Sequence, residues 1–208
     1  NSQTEGAEAR VAALTTDNRI QWYHNRRRFF EEIPENCQVL RDIESAITFI
    51  CLEDTDFGYD QTKPEQLSGY MRAMLAGNGA NRWTDKAVNH SVARNGAHGG
   101  TTEHAIADGI DYDAINETTS FIELQVLGYP PLAEQQEREE RFDREQKSDL
   151  RFAERLEIKL TDEMASEIER CYAAQLAASD NLHVASLVFR KWGKDRIKQC
   201  GCSPDAFI

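Results

Sequence analysis

The sequence predicts an α/β fold, or an α+β fold with a layered sheet, for a chain of 208 residues. Two runs of strand length, Ala46–Leu52 and Leu182–Phe189, are apolar on both faces, which is typical of buried strands. Between these runs, apolar residues recur every three or four positions and predict amphipathic helices. Strands and helices therefore mix along the chain, as in a mixed sheet that is covered by helices.

Composition excludes several classes of function. The net charge of −12 disfavours general binding to nucleic acid or to anionic membranes, so an anionic ligand needs a local basic patch. No apolar run reaches the length of a membrane span, and no secretory signal opens the chain. The five cysteines are odd in number and irregularly spaced, which indicates reduced thiols in an intracellular protein.

The first part of the chain carries clear helix starts, namely Thr or Asp at a cap and Pro at a first helical position. The predicted elements are a helix from Thr15, Thr16 or Asp17 to about Glu32, a helix over Pro34–Ser45, the strand Ala46–Leu52, an acidic loop over Glu53–Thr62 and a helix from Pro64 to about Leu75.

A β-hairpin is predicted next, around Asn95-Gly96. This dipeptide favours a type I′ turn, in which both central residues have positive φ. The strands are then Ala87–Arg94 and Ala97–His104, with Ser91 opposite Gly100. The strand period of two places a small, polar set of side chains on one face: His98, Gly100, Thr102 and His104.

After the hairpin, the pattern predicts a helix over Tyr112–Leu124 and then an almost entirely charged connector over Glu134–Asp149. A domain boundary is expected there, which divides the chain into residues 1–149 and 150–208. The second part is predicted to hold a strand over Leu150–Ile158, a helix capped by Thr161 and the strand Leu182–Phe189. Because a helix start at Ser203-Pro204-Asp205 is followed by only three residues, the chain is expected to belong to a longer protein.

His104 is the leading candidate for a catalytic group. Histidine is the side chain whose charge ordinarily changes near neutral pH, which suits a general base, and the end of a strand holds a side chain in fixed geometry. Asp108, four residues later, is placed to orient a neighbouring group or to close the turn. A structural histidine paired with an acid is the alternative, and no metal-binding spacing supports a metal site.

A basic segment, Arg190–Lys198, stands out in this acidic chain, with five basic residues against Asp195 alone. It leads into the helix start at Ser203, and a helix N-terminus beside lysines is suited to bind phosphate. An ordinary basic loop is the alternative.

Two further motifs have weaker functional meaning. Asn81–Lys86 mixes arginine, aspartate and lysine beside a tryptophan, and this mixture predicts a buried ion-pair cluster that supports the base of the hairpin. Cys200-Gly201-Cys202 resembles a redox or metal pair, but its spacing is not specific.

These features resemble, in order, the motifs of the carnitine/choline O-acyltransferase family. His104–Gly109 resembles the H-x-x-x-D-G signature of the chloramphenicol-acetyltransferase-like fold, and Asn81–Lys86 resembles N-R-W-[FY]-D-K. Gly193–Phe207 resembles G-K-x-x-I-K-x-x-x-x-S-P-D-A-F, and Glu8–Thr15 and Leu150–Phe152 also fit. Glu8–Thr15, in particular, resembles the members of this family that belong to the mitochondrial outer membrane.

The resemblance implies a half-domain of the chloramphenicol-acetyltransferase-like fold and the start of a second. It implies that His104 is a general base, supported by Asp108, in the transfer of a long-chain acyl group between CoA and the hydroxyl of carnitine, without an acyl-enzyme. CoA is a substrate, and no bound cofactor is implied. The implied CoA-binding residues are Gly193, Lys194, Lys198, Ser203 and Asp205.

Departures from the family motifs keep two alternatives open. Thr84 stands where the family has an aromatic residue, and Ala105-Ile106 stands where it has Ser-Trp. The alternatives are a non-catalytic relative that binds acyl-CoA and a choline-type acyltransferase. The remaining motifs of the family lie beyond Ile208, so the isolated chain is expected to be inactive, and membrane contact is expected only through segments outside it.

Overall fold

The computed structural model describes residues 6–58, 60, 62–106, 108–128 and 153–207. It contains a 3-10 helix over Gly6–Thr16, the helices α1 (Arg19–Arg26), α2 (Pro34–Ser45), α3 (Pro64–Ala76), α4 (Gly109–Phe121), α5 (Asp162–Asp180), α6 (Lys194–Gln199) and α7 (Pro204–Phe207), and the strands β1 (Phe49–Glu53), β2 (Val88–Ala93) and β3 (His98–Thr102). Short π-helical segments, Arg27–Glu31 and Ile122–Leu127, continue α1 and α4. The predicted α+β arrangement, with a mixed sheet and helices, is confirmed.

Helix α1 begins later than predicted. Asn18 caps it, with its side-chain oxygen 3.0 Å from the amide nitrogen of Gln21. Thr15 does not cap a helix, because its hydroxyl donates to the carbonyl of Ala12 and accepts from the amide of Thr84. The residues before Asn18 form the 3-10 helix instead. Helices α2 and α3 begin at their prolines, as predicted.

One hydrophobic core joins the N-terminal 3-10 helix to α1, α2 and α5. At its centre, Trp22 makes edge-to-face contacts with Phe30 and Trp83. Thr161 caps α5, as predicted, through a 3.1 Å hydrogen bond from the amide of Met164. The buried face of α5 (Met164, Ile168 and Cys171) enters this core. Residues on both sides of position 149 therefore share a core, and the division into half-domains stays a prediction.

The sheet has the order β1-β2-β3, with β1 parallel to β2 and β2 antiparallel to β3. One face is buried and includes Cys51 and Ser91. On the opposite face, Ile50 and Leu52 are 61% and 80% exposed. The prediction of a strand buried on both faces is wrong for the described residues, since β1 begins at Phe49, lies at an edge of the sheet and packs through one face only.

The hairpin is confirmed, but its predicted register is wrong by one residue. Ser91 pairs with Gly99 and His90 pairs with Gly100. The loop has three residues, 94 to 96, and only Gly96 has positive φ, at 81°. Hydrogen bonds from Gly96 N to Ala93 O and from Ala93 N to Ala97 O close it. This is a type I turn followed by a left-handed glycine, which shifts the pairing relative to a two-residue type I′ loop.

The two strands predicted after residue 149 are absent from the described residues 153–158 and 182–189. Side chains hold these segments in place of a strand ladder. The amide group of Asn36 bonds both backbone groups of Lys159, at 2.7 and 3.0 Å. On α3, Ser68 accepts from the amide of Ser186, and Arg72 donates to the carbonyl of Leu182.

Other predictions have mixed outcomes. The helix predicted at Tyr112 starts earlier, at Gly109. The charged connector predicted over Glu134–Asp149 lies outside the described residues. All five cysteines are free thiols. Within the described residues, no helix is both long and apolar enough to cross a bilayer.

Candidate active site

His104 and Asp108 lie together beyond the open end of the hairpin, away from the loop at residues 94 to 96. His104 follows β3 in a turn, and Asp108 precedes α4. Nε2 of His104 is 2.9 Å from Oδ1 of Asp108, and the two side chains are 76% and 73% exposed. The pairing expected from the sequence is therefore present, on an open surface.

Asp108 is fixed by the start of α4. Its carboxylate accepts the amide hydrogen of Gly109 at 2.6 Å, and its own amide donates to the carboxylate of Asp111 at 2.9 Å. These contacts form a reciprocal capping box, which satisfies amides that a helix start leaves unpaired. The hydrogen bond from His104, the amide of Gly109 and the charge of His104 lower the pKa of Asp108.

This geometry leaves one imidazole nitrogen available for proton transfer. In one tautomer of His104, Nε2 carries the proton and donates a hydrogen bond to Asp108. Nδ1 of the same ring then keeps its lone pair. A carboxylate beside the ring also stabilises the imidazolium that forms when Nδ1 takes a proton. The pair can therefore act chemically as an oriented general base.

The basic segment, Arg190–Lys198, leads into α6 and covers most of this helix. Gly193 precedes α6, and Lys194 and Lys198 are exposed on it. The helix is anchored by buried Ile197. Trp192 contacts both Phe189 and Phe207, so it connects the residue before the segment to α7.

The remaining implied CoA-binding residues, Ser203 and Asp205, are exposed at the start of α7. Among the described residues, no hydrogen bond or ion pair joins the 193–205 segment to His104 or Asp108. The structure therefore brings the histidine and the aspartate together but does not connect them to the basic segment.

The ion-pair cluster predicted from Asn81–Lys86 is confirmed in part, since Arg82 forms a buried ion pair and Lys86 is buried against backbone carbonyls. The buried guanidinium of Arg82 lies 2.9 Å from the carboxylate of Glu53. The ammonium of Lys86, also buried, donates to the carbonyls of Ile43 and Glu44 at 2.7 and 2.8 Å. Both cations have internal partners, so this cluster supports the structure and does not offer a free charge to a ligand.

Sequence reasoning missed the role of Asn89 in this support. Its buried amide group accepts the N–H of Trp83 and donates to the carbonyl of the same residue, both at 2.9 Å. The only available signal was an asparagine at an inward position of a strand, where a polar side chain needs partners.

A cavity of about 200 Å³ lies beside the cluster and reaches the residue before His104. Its lining includes Thr84, Lys86, Asn89, Thr102 and Glu103. Thr84 stands where an aromatic residue was expected, and its hydroxyl bonds to Thr15 instead.

One group of side chains within the described residues has the composition of a metal site: Asp17, Glu167 and Cys171. The guanidinium of Arg170 bonds both carboxylates, so a cation already occupies the place between them. Burial raises the pKa of the Cys171 thiol to about 12, which keeps it protonated. The group is a charge-paired structural cluster.

Comparison with known proteins gives a consistent assignment. The sequence model of the family described as Choline/Carnitine o-acyltransferase matches residues 1–208, so the chain belongs to this family. It is 32% identical to the muscle isoform of carnitine O-palmitoyltransferase 1 from Homo sapiens and 31% identical to the liver isoform. It is 28% identical to the peroxisomal carnitine O-octanoyltransferase of Rattus norvegicus.

These alignments cover nearly all of the chain but only part of each relative. They span 100% of the chain and 26% of the two Homo sapiens isoforms, and 95% of the chain and 30% of the octanoyltransferase. The chain therefore spans about a quarter of the length of the palmitoyltransferases that it matches.

Proposed function

We propose that this chain carries the catalytic base of an enzyme that moves a long-chain acyl group between CoA and the hydroxyl of carnitine. The observation that carries the proposal is the 2.9 Å contact between His104 and Asp108 just after the hairpin, in a chain of this family. A histidine oriented by a carboxylate is the arrangement that general-base catalysis of acyl transfer requires.

In the proposed reaction, Nδ1 of His104 takes the proton of the carnitine hydroxyl while the oxygen attacks the thioester carbon of acyl-CoA. The C–S bond then breaks, and the imidazolium returns the proton to the leaving CoA sulfur. Asp108 stabilises the imidazolium between these steps. A positioned base of this kind is typically worth about 10²–10⁴-fold in rate.

The basic segment is the proposed binding site for the nucleotide end of CoA. Lys194 and Lys198 are exposed on one short helix, and the start of α7 follows within a few residues. Exposed ammonium groups suit phosphate, and Gly193, Ser203 and Asp205 are proposed to complete the site.

The wider assignment rests on the family and its relatives. The small mixed sheet is compatible with part of a chloramphenicol-acetyltransferase-like half-domain, and we propose that a second half-domain outside this chain completes the acceptor site. A long-chain acyl group is proposed because the palmitoyltransferases are the more similar relatives. An intracellular, mitochondrial location is proposed on the same ground, with the peroxisome as the alternative.

The test uses the full-length protein that contains this chain. The thiol of CoA released from palmitoyl-CoA is measured with and without carnitine, and choline replaces carnitine in a parallel assay. We expect carnitine-dependent release, and we expect His104→Ala to lower kcat at least 100-fold. The matched control is His183→Ala, an exposed histidine far along the chain, which leaves the rate unchanged.

Four outcomes would contradict the proposal in different ways. An unchanged rate in His104→Ala would show that His104 is not the general base. Release that depends on choline would assign a different acceptor. Binding of palmitoyl-CoA without turnover on either acceptor would indicate a non-catalytic relative. A higher rate with octanoyl-CoA than with palmitoyl-CoA would show that the enzyme prefers a shorter acyl group.

A further inference from the structure

The turn that carries His104 has little hydrophobic packing of its own. Residues 104 to 106 are all exposed, and Ile106 is 77% exposed. Asp108 fixes the ring from the helix side only. If His104 acts as a base, the backbone of this turn must be held by polar contacts, because a general base needs a fixed position relative to its substrate.

Glu103 supplies such a contact on the strand side of the turn. Its carboxylate accepts the amide hydrogen of Ala105, with Oε2 2.8 Å from the nitrogen. His104 lies between these two residues, so this bond closes the backbone around it. The amide of Glu103 donates to Ala87 O at 2.9 Å, and the hydroxyl of Tyr112 is 3.5 Å from the carbonyl of Glu103. Glu103 is therefore held through its backbone and its side chain.

The second carboxylate oxygen of Glu103 connects the turn to the core. Nη2 of Arg19 lies 3.1 Å from Oε1 of Glu103, and Nη1 of the same arginine bonds Asp85. Asp85 in turn accepts the indole N–H of Trp22 at 2.8 Å. Trp22 is buried at the centre of the aromatic core. A continuous path of charge-assisted hydrogen bonds therefore runs from the core to the turn.

We propose that Glu103 and Arg19 are positioning residues for His104. This inference rests on the proposed function, since it assigns them a role in holding its base. Glu103 fixes the backbone of the turn, and Arg19 fixes Glu103 by bridging it to Asp85. Neither residue touches the reacting atoms, so their effect falls on kcat while substrate binding is retained.

The first experiment measures the turn directly, in the 208-residue chain. Hydrogen exchange at the amide of Ala105 is followed by NMR in the wild type, in Glu103→Ala, in Glu103→Gln and in Arg19→Gln. We expect the amide to exchange at least 10-fold faster in Glu103→Ala. Glu103→Gln keeps an acceptor for the amide, so it is expected to lie between Glu103→Ala and the wild type, as is Arg19→Gln.

The second experiment measures kcat and KM in the full-length protein. Because a small misplacement of a catalytic group costs up to about 100-fold in rate, we expect Glu103→Ala to lower kcat by about 10–100-fold. We expect KM for carnitine and for palmitoyl-CoA to change less than about 3-fold, and Glu103→Gln to recover part of kcat. Glu117→Ala, which removes an exposed acid on α4, is the matched control and leaves both constants unchanged.

The results separate this inference from the proposed function. If His104→Ala is inactive while Glu103→Ala and Arg19→Gln keep wild-type kcat and wild-type exchange at Ala105, the positioning role is wrong and the base is retained. If His104→Ala is fully active, the proposed function fails, and the exchange data still decide whether Glu103 holds the turn. A rise in KM with unchanged kcat would also overturn the positioning role.

Discussion

Two arginine–carboxylate pairs near the hairpin have the same length and opposite surroundings. Arg82 and Glu53 are 2.9 Å apart, with side chains 5% and 13% exposed. Arg94 and Asp56 are also 2.9 Å apart, with side chains 69% and 50% exposed. The guanidinium of Arg82 has further partners in the carbonyls of Ala73 and Met74. Distance alone therefore says little about what each pair does.

A third pair, His104 with Asp108, has this length as well and is the most exposed of the three. An exposed pair contributes little to stability because water solvates and screens its charges. The same exposure leaves the imidazole accessible to a substrate. A buried pair beside the hairpin thus supports the fold, whereas an open pair just after the hairpin is accessible to a reacting molecule.

The largest expected effect is on the buried pair. Arg82→Met removes the charge while it keeps much of the volume, and it leaves the Glu53 carboxylate without its partner. Breaking a buried pair in this way typically costs about 3–5 kcal/mol, so we expect a loss of this size in the free energy of unfolding, measured by urea denaturation.

The matched variant is Arg94→Met, which breaks a pair of equal length at the surface. We expect a loss of less than about 1 kcal/mol. Equal losses in the two variants would show that burial does not distinguish these pairs, and the comparison between them would fail.

A smaller effect is expected where β3 approaches β2. Gly100 has a φ of 157°, and a Cβ atom there would lie 2.0 Å from the carbonyl oxygen of Asn89, which is backbone and cannot move aside freely. Gly100→Ala is therefore expected to lower the free energy of unfolding by about 1–3 kcal/mol in the same assay.

Gly109→Ala provides the contrast for this variant. No heavy atom lies within 4 Å of a Cβ built at Gly109, at the start of α4. Because alanine restricts the unfolded chain more than glycine does, we expect a gain of up to about 1 kcal/mol. A loss in Gly109→Ala as large as that in Gly100→Ala would contradict the assignment of the effect to a backbone contact.

The smallest effect concerns the exposed pair and its pH dependence. The pKa of Asp108 lies below its usual 3.8, mainly because His104 donates a hydrogen bond to the carboxylate. The folded chain then binds fewer protons here than the unfolded chain does. The small stabilisation is therefore present above the ordinary pKa of aspartate and is lost as the pH falls through the lowered value.

NMR titration of the Asp108 carboxyl group tests this directly. We expect His104→Ala to raise the pKa of Asp108 towards its ordinary value, although the hydrogen bond from Gly109 remains. His183→Ala is the control and leaves the titration unchanged. An Asp108 pKa that does not move in His104→Ala would show that the pair does not persist in solution.

Local signals in the sequence predicted many of the elements. Proline at a first helical position placed the starts of α2 and α3, and Thr161 placed the start of α5. Asn95-Gly96 placed the hairpin but not its register. A sequence does not show whether one or both loop residues adopt positive φ, and this choice moved every pair of the hairpin by one residue.

The incorrect strand predictions concern segments whose structure depends on the elements that pack beside them. Residues 182–189 have the composition of a buried strand, but strand formation needs a neighbouring ladder, and hydrogen bonds from α3 hold the segment instead. In the same way, an apolar composition on both faces of β1 did not reveal that the strand lies at an edge of the described sheet.

The sequence by itself determined the starts of α2, α3 and α5, the presence of the hairpin, the pairing of His104 with Asp108 and the basic segment, because each depends on residues close together in the chain. Only the tertiary structure decided that Glu53 is the partner of Arg82 and that Glu103 is connected through Arg19 and Asp85 to Trp22. These contacts join residues far apart in sequence, and their strength depends on burial, which no local pattern specifies.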